Sequence, residues 1–239
     1  MPSRHDTIAD IIRRRPESIG IFRKLGIDYC CGAGATLDEA AHKAGVSLEV
    51  VQREFEQSTA ADSFLPPRVH SWKPAFLADF IEENHHGYER SAIPTITALL
   101  DKVITKHGER FPELQAIRIV FADMADSLLQ HFDDEERTVF VVARSNDGIS
   151  AVPNENVSAM CDRHEADHIT ISRKIDRLRT LTNEFTAPAS ACMTHKHAYA
   201  MLSEFIDDLR QHVYLENAVL FPALRNDSSS TTLSQLGVL

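Results

Sequence analysis

Apolar residues recur at intervals of three and four, far more often than of two, along four stretches at about residues 74–106, 112–144, 154–183 and 190–225. A period of 3.6 buries one face of an α-helix, whereas a half-buried strand needs strict alternation, so four long helices are predicted. Each stretch is parted from the next by a few residues of turn chemistry, such as HGERFP (107–112) and SNDGISAVPNEN (145–156). Short connections between long helices give an up-down-up-down four-helix bundle. Only nine glycines interrupt the 239 residues and no segments alternate well enough to pair as strands, so the whole chain is expected to be all-α.

Ahead of the bundle the elements are shorter. Ile8, Ile11 and Ile12 form one apolar stripe; Pro16 is placed to open a second helix carrying Ile19, Phe22 and Leu25, which Gly26 ends. DYCCGAGAT (28–36) reads as a loop, and Thr36 with Glu39 has the spacing of a capping box. Ser47 is placed to cap a further helix through Val50, Val51 and Phe55. Residues 1–61 are thus expected to form a small helical domain. The prolines of SFLPPRVHSWKP mark residues 62–73 as an exposed linker, 74–225 as the bundle, and the polar 226–239 as a flexible tail.

Composition narrows the function. With 25 Lys and Arg against 35 Asp and Glu, the formal charge of −10 repels polyanions, so nucleic acid is a poor partner. The longest apolar run, Val139 to Ala143, is far too short to span a bilayer, and the N-terminus has no signal-peptide core; a soluble cytoplasmic protein is expected. Four cysteines, of which only Cys30 and Cys31 are close, make no disulfide framework and fit a reducing compartment. Histidine is the outlier, at twelve.

Several histidines fall on the buried faces. His131 precedes Glu135, and His212 precedes Glu216, by four residues, so each pair shares a helix face. Phe121, Met124, Leu128, Val139 and Val142 continue the first face; Leu202, Phe205, Leu209, Val219 and Leu220 continue the second. Composition alone supplies roughly one such pair by chance, and two buried His–Glu couples need no metal to be stable. His164, however, continues the stripe of Val157, Cys161, Ile171, Ile175 and Leu178, and the first helix adds His85 and His86. Four helices that each turn an imidazole inward, two with a carboxylate one turn on, supply the donors of a carboxylate-bridged dinuclear site. Mixed nitrogen and oxygen ligation with open positions suits iron better than zinc, and manganese accepts the same donors.

At these residues the chain resembles the di-iron proteins that repair iron–sulfur clusters, a hemerythrin-like family with a small N-terminal domain. The resemblance covers about residues 5–225 and rests on FRKLGIDYCCGAGATLDEA (22–40) and on the ordered set NHHGYERSAIP, HFDDEE, MCDRHE and HVYLENAVLFP. It implies two iron ions joined by an oxo bridge and by both glutamates, with His86, His131, Glu135, His164, His212 and Glu216 as ligands. It also implies damaged iron–sulfur proteins as partners, nitric oxide or oxygen as a small ligand, and a homodimer. Repair of clusters damaged by nitrosative and oxidative stress is the expected role, with redox chemistry and iron donation as separate routes. Binding or scavenging of nitric oxide without repair is the alternative, and a metal-free helical module a third.

Three points stay open at this level. Apolar phase alone selects His85, in line with Leu77, Ile81, Ala92 and Ile96, whereas the resemblance selects His86 and Pro94 is expected to kink the helix between them and the later stripe. His168, one turn after His164, is an alternative ligand. RTVFVVARS, after Glu136, lacks the Leu-Phe-Pro ending of the fourth helix, and Cys30 and Cys31 are either redox or transfer thiols or structural.

Overall fold

A computed structural model describes residues 1–57, 65–66, 68–145 and 156–226. The N-terminal module holds α1 (Ile8–Arg14), α2 (Ser18–Lys24), α3 (Leu37–Lys43) and α4 (Leu48–Gln57). Thr7 caps α1 by accepting from the Asp10 amide, and Thr36 caps α3 in a full capping box with Glu39. An isolated antiparallel bridge between Thr7 and Thr36 ties the two helix starts together. Helix α2 begins at Ser18, two residues later than the proline signal indicates, because Pro16 sits in a turn whose carbonyl accepts from the Ile19 amide. Gly26 ends it at φ +69°, a left-handed conformation that glycine adopts without strain. A Cβ there would also come within 3.3 Å of the Arg179 guanidinium, so the module packs closely against the bundle at this turn. Phe22 meets Phe55 edge to face at 5.9 Å in the module's interior.

The connection differs from its expected exposure. Leu65 and Val69 are buried and Trp72 packs on Phe76 and Phe80, so its apolar residues rather than its prolines govern where this segment lies. Residues 62–64 and 67 of the expected linker, and all but the first of the expected tail, lie outside the described residues.

The bundle follows. Pro74 opens α5 (Pro74–Phe80), which continues through a π turn (Ile81–His86) into α6 (Gly87–His107). Next come α7 (Glu113–Arg137), α8 (Val139–Arg144), α9 (Val157–Leu181) and α10 (Met193–Leu215), the last extended by a second π turn (Glu216–Leu220) and a final turn to 226. Helix α6 packs on α7 and α10, and α7 on α9. The expected second long helix is broken at Thr138, whose φ of −120° and ψ of −79° leave the helical region, so α8 turns back against α5. Phe121, Phe205, Leu128, Leu202 and Leu209 are fully buried between the helices, an apolar floor beneath the inward histidines.

Candidate metal centre

Periodicity brings the polar side chains to one level of the bundle. His86 leaves the end of the first π turn, His131 and Glu135 lie near the end of α7, His164 and His168 lie on α9, and His212 and Glu216 close α10. All seven are buried. Two quartets form, each with its donor atoms within 4.8 Å of one another: His86, His212, Glu135 and Glu216, and His131, His168, Glu135 and Glu216. Glu135 turns Oε2 to His86 Nε2 (3.5 Å) and Oε1 to His131 Nε2 (3.4 Å). Glu216 turns Oε1 to His212 Nε2 (3.0 Å) and Oε2 to His168 Nε2 (3.2 Å). Each carboxylate therefore spans both quartets, one oxygen to each.

Five of the six residues expected as ligands are drawn together. The remaining place in the second quartet is held by His168, not His164, whose Nδ1 stands 3.7 Å from Glu135 and whose Nε2 stands 3.5 Å from Asp134. His164 instead lies beside that quartet, 5.2 Å from the His131 ring, with neither nitrogen hydrogen-bonded among the described residues. Of His85 and His86, it is His86 that lies in a quartet, and the π turn rather than Pro94 accounts for its placement. The Gly87 amide bonds back five residues to the Glu82 carbonyl, and this wider turn advances the phase so that His86 enters the quartet. His85 is buried too, stacked on His212 at 5.7 Å with its Nδ1–H donating to Asp208.

Partners outside the quartets orient the rings. His86 Nδ1–H donates to Glu136 (2.9 Å), itself held by Arg90, and His212 Nδ1–H donates to the fully buried Glu89 (3.2 Å). His168 Nδ1–H donates to Asn217 Oδ1 (2.8 Å), and His131 Nδ1 faces Asp167 at 3.7 Å. A ring whose Nδ1–H is engaged presents the Nε2 lone pair. His86 and His212 turn their Nε2 atoms to one point, 3.3 Å apart, and the corresponding atoms of His131 and His168 are 2.9 Å apart. Phe132 and Phe140 stack on His86, and Phe221 on His168, which keeps water from the rings.

Burial and close neighbours shift the cluster's groups in opposite directions: against burial, Glu216 and Glu89 hold the His212 imidazole well above its ordinary range. Burial, and then the neighbouring Glu216, hold the Glu135 carboxyl well above its ordinary range. Burial acts the same way on Glu216, but His212 and His168 outweigh it and hold that group well below. Burial lowers His86 to about 2 and His164 to about 4, each with a smaller push from a neighbouring imidazole. Both buried oxygens of Glu135 lack a hydrogen-bond partner among the described residues, which is costly when uncompensated, whereas the Glu216 oxygens stand 3.0 and 3.2 Å from His212 and His168 Nε2. Ring nitrogens and carboxylate oxygens converging in two buried quartets fit metal ions between them, and the cluster is a metal-binding site.

Sequence reading missed the outer partners Glu89, Glu136, Asp167 and Asn217. The Glu89–His212 bond joins residues 123 apart, which local spacing does not reveal. The thiols of Cys30 and Cys31 are free, 4.0 Å apart, in a loop whose backbone amides bond Asp28. The Cys31 hydrogen bond, then burial, hold the Cys30 thiol well above its usual range, so it rests protonated.

Residues 79–224 match the hemerythrin HHE cation binding domain, and residues 4–59 match a domain of unknown function (DUF542). Proteins named iron–sulfur cluster repair protein YtfE are similar along the chain: that of Dickeya chrysanthemi is 30% identical and that of Musicola paradisiaca 29%, each over 95% of this chain and 100% of the relative. Among the described residues no helix is long and apolar enough to cross a membrane. With the hemerythrin match covering more than half of its length and a 30%-identical relative aligned over 95% of it, the chain belongs to the hemerythrin-like family of iron–sulfur cluster repair proteins.

Proposed function

We propose that the chain holds two iron ions and serves to restore iron–sulfur clusters damaged by nitric oxide or oxidants. The observation that carries this is the pair of buried glutamates, each with one oxygen toward each pair of imidazoles. The ligands are His86, His212, His131, His168, Glu135 and Glu216, and His164 is a further imidazole within reach of the second position. When bound, the irons supply one-electron redox chemistry and open positions for a small molecule. The protein's part is to fix both carboxylates, to orient the rings of His86, His212 and His168 through outer partners at Nδ1, and to keep the cavity dry with Phe132, Phe140 and Phe221. Cys30 and Cys31, free and next to α9, are suited to receive a transferred iron, and Cys30 must lose its proton to do so.

The relatives' name supports cluster repair as the role. The aromatic walls also suit an apolar diatomic gas, so binding of nitric oxide without repair is the competing reading. A cytoplasmic setting, a homodimer, and nitric oxide or oxygen as ligand belong to the same proposal.

Repair is tested by adding purified protein to an iron–sulfur hydratase inactivated with nitric oxide. Recovery of hydratase activity that follows the iron content of the protein is the expected result. A stable nitrosyl with no recovery overturns repair in favour of gas binding, and less than about half a metal per folded, anaerobically reconstituted chain overturns the iron site.

A further inference from the structure

Asn217 follows Glu216 inside the second π turn, and its side chain has partners in two parts of the molecule. Oδ1 accepts from His168 Nδ1–H at 2.8 Å, and Nδ2 donates to the Cys30 carbonyl at 3.3 Å. Alongside, the Cys31 thiol donates to the main-chain carbonyl of His168 at 3.4 Å. One imidazole of the metal centre is therefore held at its ring through Asn217, and at its backbone directly, by the dicysteine loop of the N-terminal module. His86 and His212 take their outer partners, Glu136 and Glu89, from the bundle itself, and His131 faces Asp167 of α9. The contact is specific to the second metal position.

Building on the metal-centre reading, we infer that Asn217 is a positioning residue that links docking of the N-terminal module to metal occupancy at the position of His131 and His168. An amide that accepts from Nδ1–H fixes the tautomer with the Nε2 lone pair toward the metal. The same amide plane aims Nδ2 at the Cys30 carbonyl only while His168 keeps that ring orientation. A bound cation restrains the ring, so it favours the docked loop; the docked loop restrains Asn217, so it favours the bound cation. Such coupling is reciprocal in free energy. Release of the loop loosens His168 and leaves the position of His86 and His212 untouched.

The test uses the full chain, metal-free and loaded anaerobically with ferrous iron, and reads hydrogen exchange of the amides at 27–35 together with the time course of iron capture by a chelator. In the unmodified protein, loading slows exchange of the loop about tenfold, and iron leaves in two phases. Asn217→Ala abolishes the slowing and speeds only one phase by about tenfold. Asn217→Asp keeps the acceptor for His168 and loses the donor to Cys30, so it retains iron in both phases and loses the slowing. Exchange that is the same with and without two bound irons in the unmodified protein overturns the coupling and spares the metal centre. Failure of the unmodified protein to take up iron overturns the metal-centre reading and the coupling with it.

Discussion

The two halves of the metal centre share Glu135 and Glu216 but are backed differently. Behind His86 and His212 stand two carboxylates, Glu136 and the fully buried Glu89, both within 3.2 Å. Behind His131 and His168 stand the more distant, half-exposed Asp167 and the neutral amide of Asn217. A carboxylate behind an imidazole raises its basicity and answers the cation's charge, the more so where the dielectric is low. The difference teaches that nearly symmetric ligands can be backed unequally: on the proposed two-iron reading, the first half would hold its metal within the bundle, and the second would hold its metal more weakly and with help from the N-terminal module.

The strongest way to break this comparison is to remove what the halves share. Glu135→Ala takes an oxygen from both, and metal analysis of the folded variant is expected to fall from about two irons to below about half of one. Retention of one iron would show that the halves are independent. Next in size, His168→Ala should leave about one iron while His164→Ala leaves about two, by the same analysis; the reverse order would return the ligand role to His164. Replacing outer partners sharpens the contrast further. Glu89→Gln keeps an acceptor and removes the charge, and should weaken the tighter site by about 10–100-fold in a chelator competition, whereas Asp167→Asn should change the weaker site by less.

The smallest effect is expected at the opposite end of α10, which serves as the control. His195 is buried there between Phe111 and Tyr199, and neither ring nitrogen has a hydrogen-bond partner among the described residues. Burial lowers its pKa, so the folded chain binds this proton less readily than the unfolded one. The sign follows: the contribution is present above the unfolded value of about 6.5 and is lost as pH falls below it. Thermal unfolding of the loaded protein should drop about 2–4 °C from pH 6.5 to 5.5 on this account, and His195→Met should remove that part of the drop.

How much of this was legible in the sequence depended on the range of each signal. The capping box of Thr36 and Glu39, the stop at Gly26, and the His131–Glu135 and His212–Glu216 pairs are local, and they stand where spacing puts them. The choice between His164 and His168 is not local: both lie on one face of α9, and it is the tertiary contact with the turn after α10 that sets His168 3.2 Å from Glu216. The π turns also escape periodicity, since the residues of IEENHH and ENAVL fit an ordinary helix and the wider turn shows only in the backbone bonds. A missing Leu-Phe-Pro ending pointed to α7 without revealing the break at Thr138. Burial of Leu65 and Val69 was hidden by neighbouring prolines, although their apolar character was in plain view.

The buried Glu135 oxygens, without a hydrogen-bond partner among the described residues, bear on how long a metal-free copy of the protein lasts in a cell. A chain that closes around these groups before metal arrives keeps charge and dipoles desolvated at a cost of several kcal/mol, a large share of the stability of an ordinary domain. Its bundle opens more often, and proteases act on the open form. On the proposed iron-centre reading, copies made during iron scarcity would be cleared sooner than copies made in plenty.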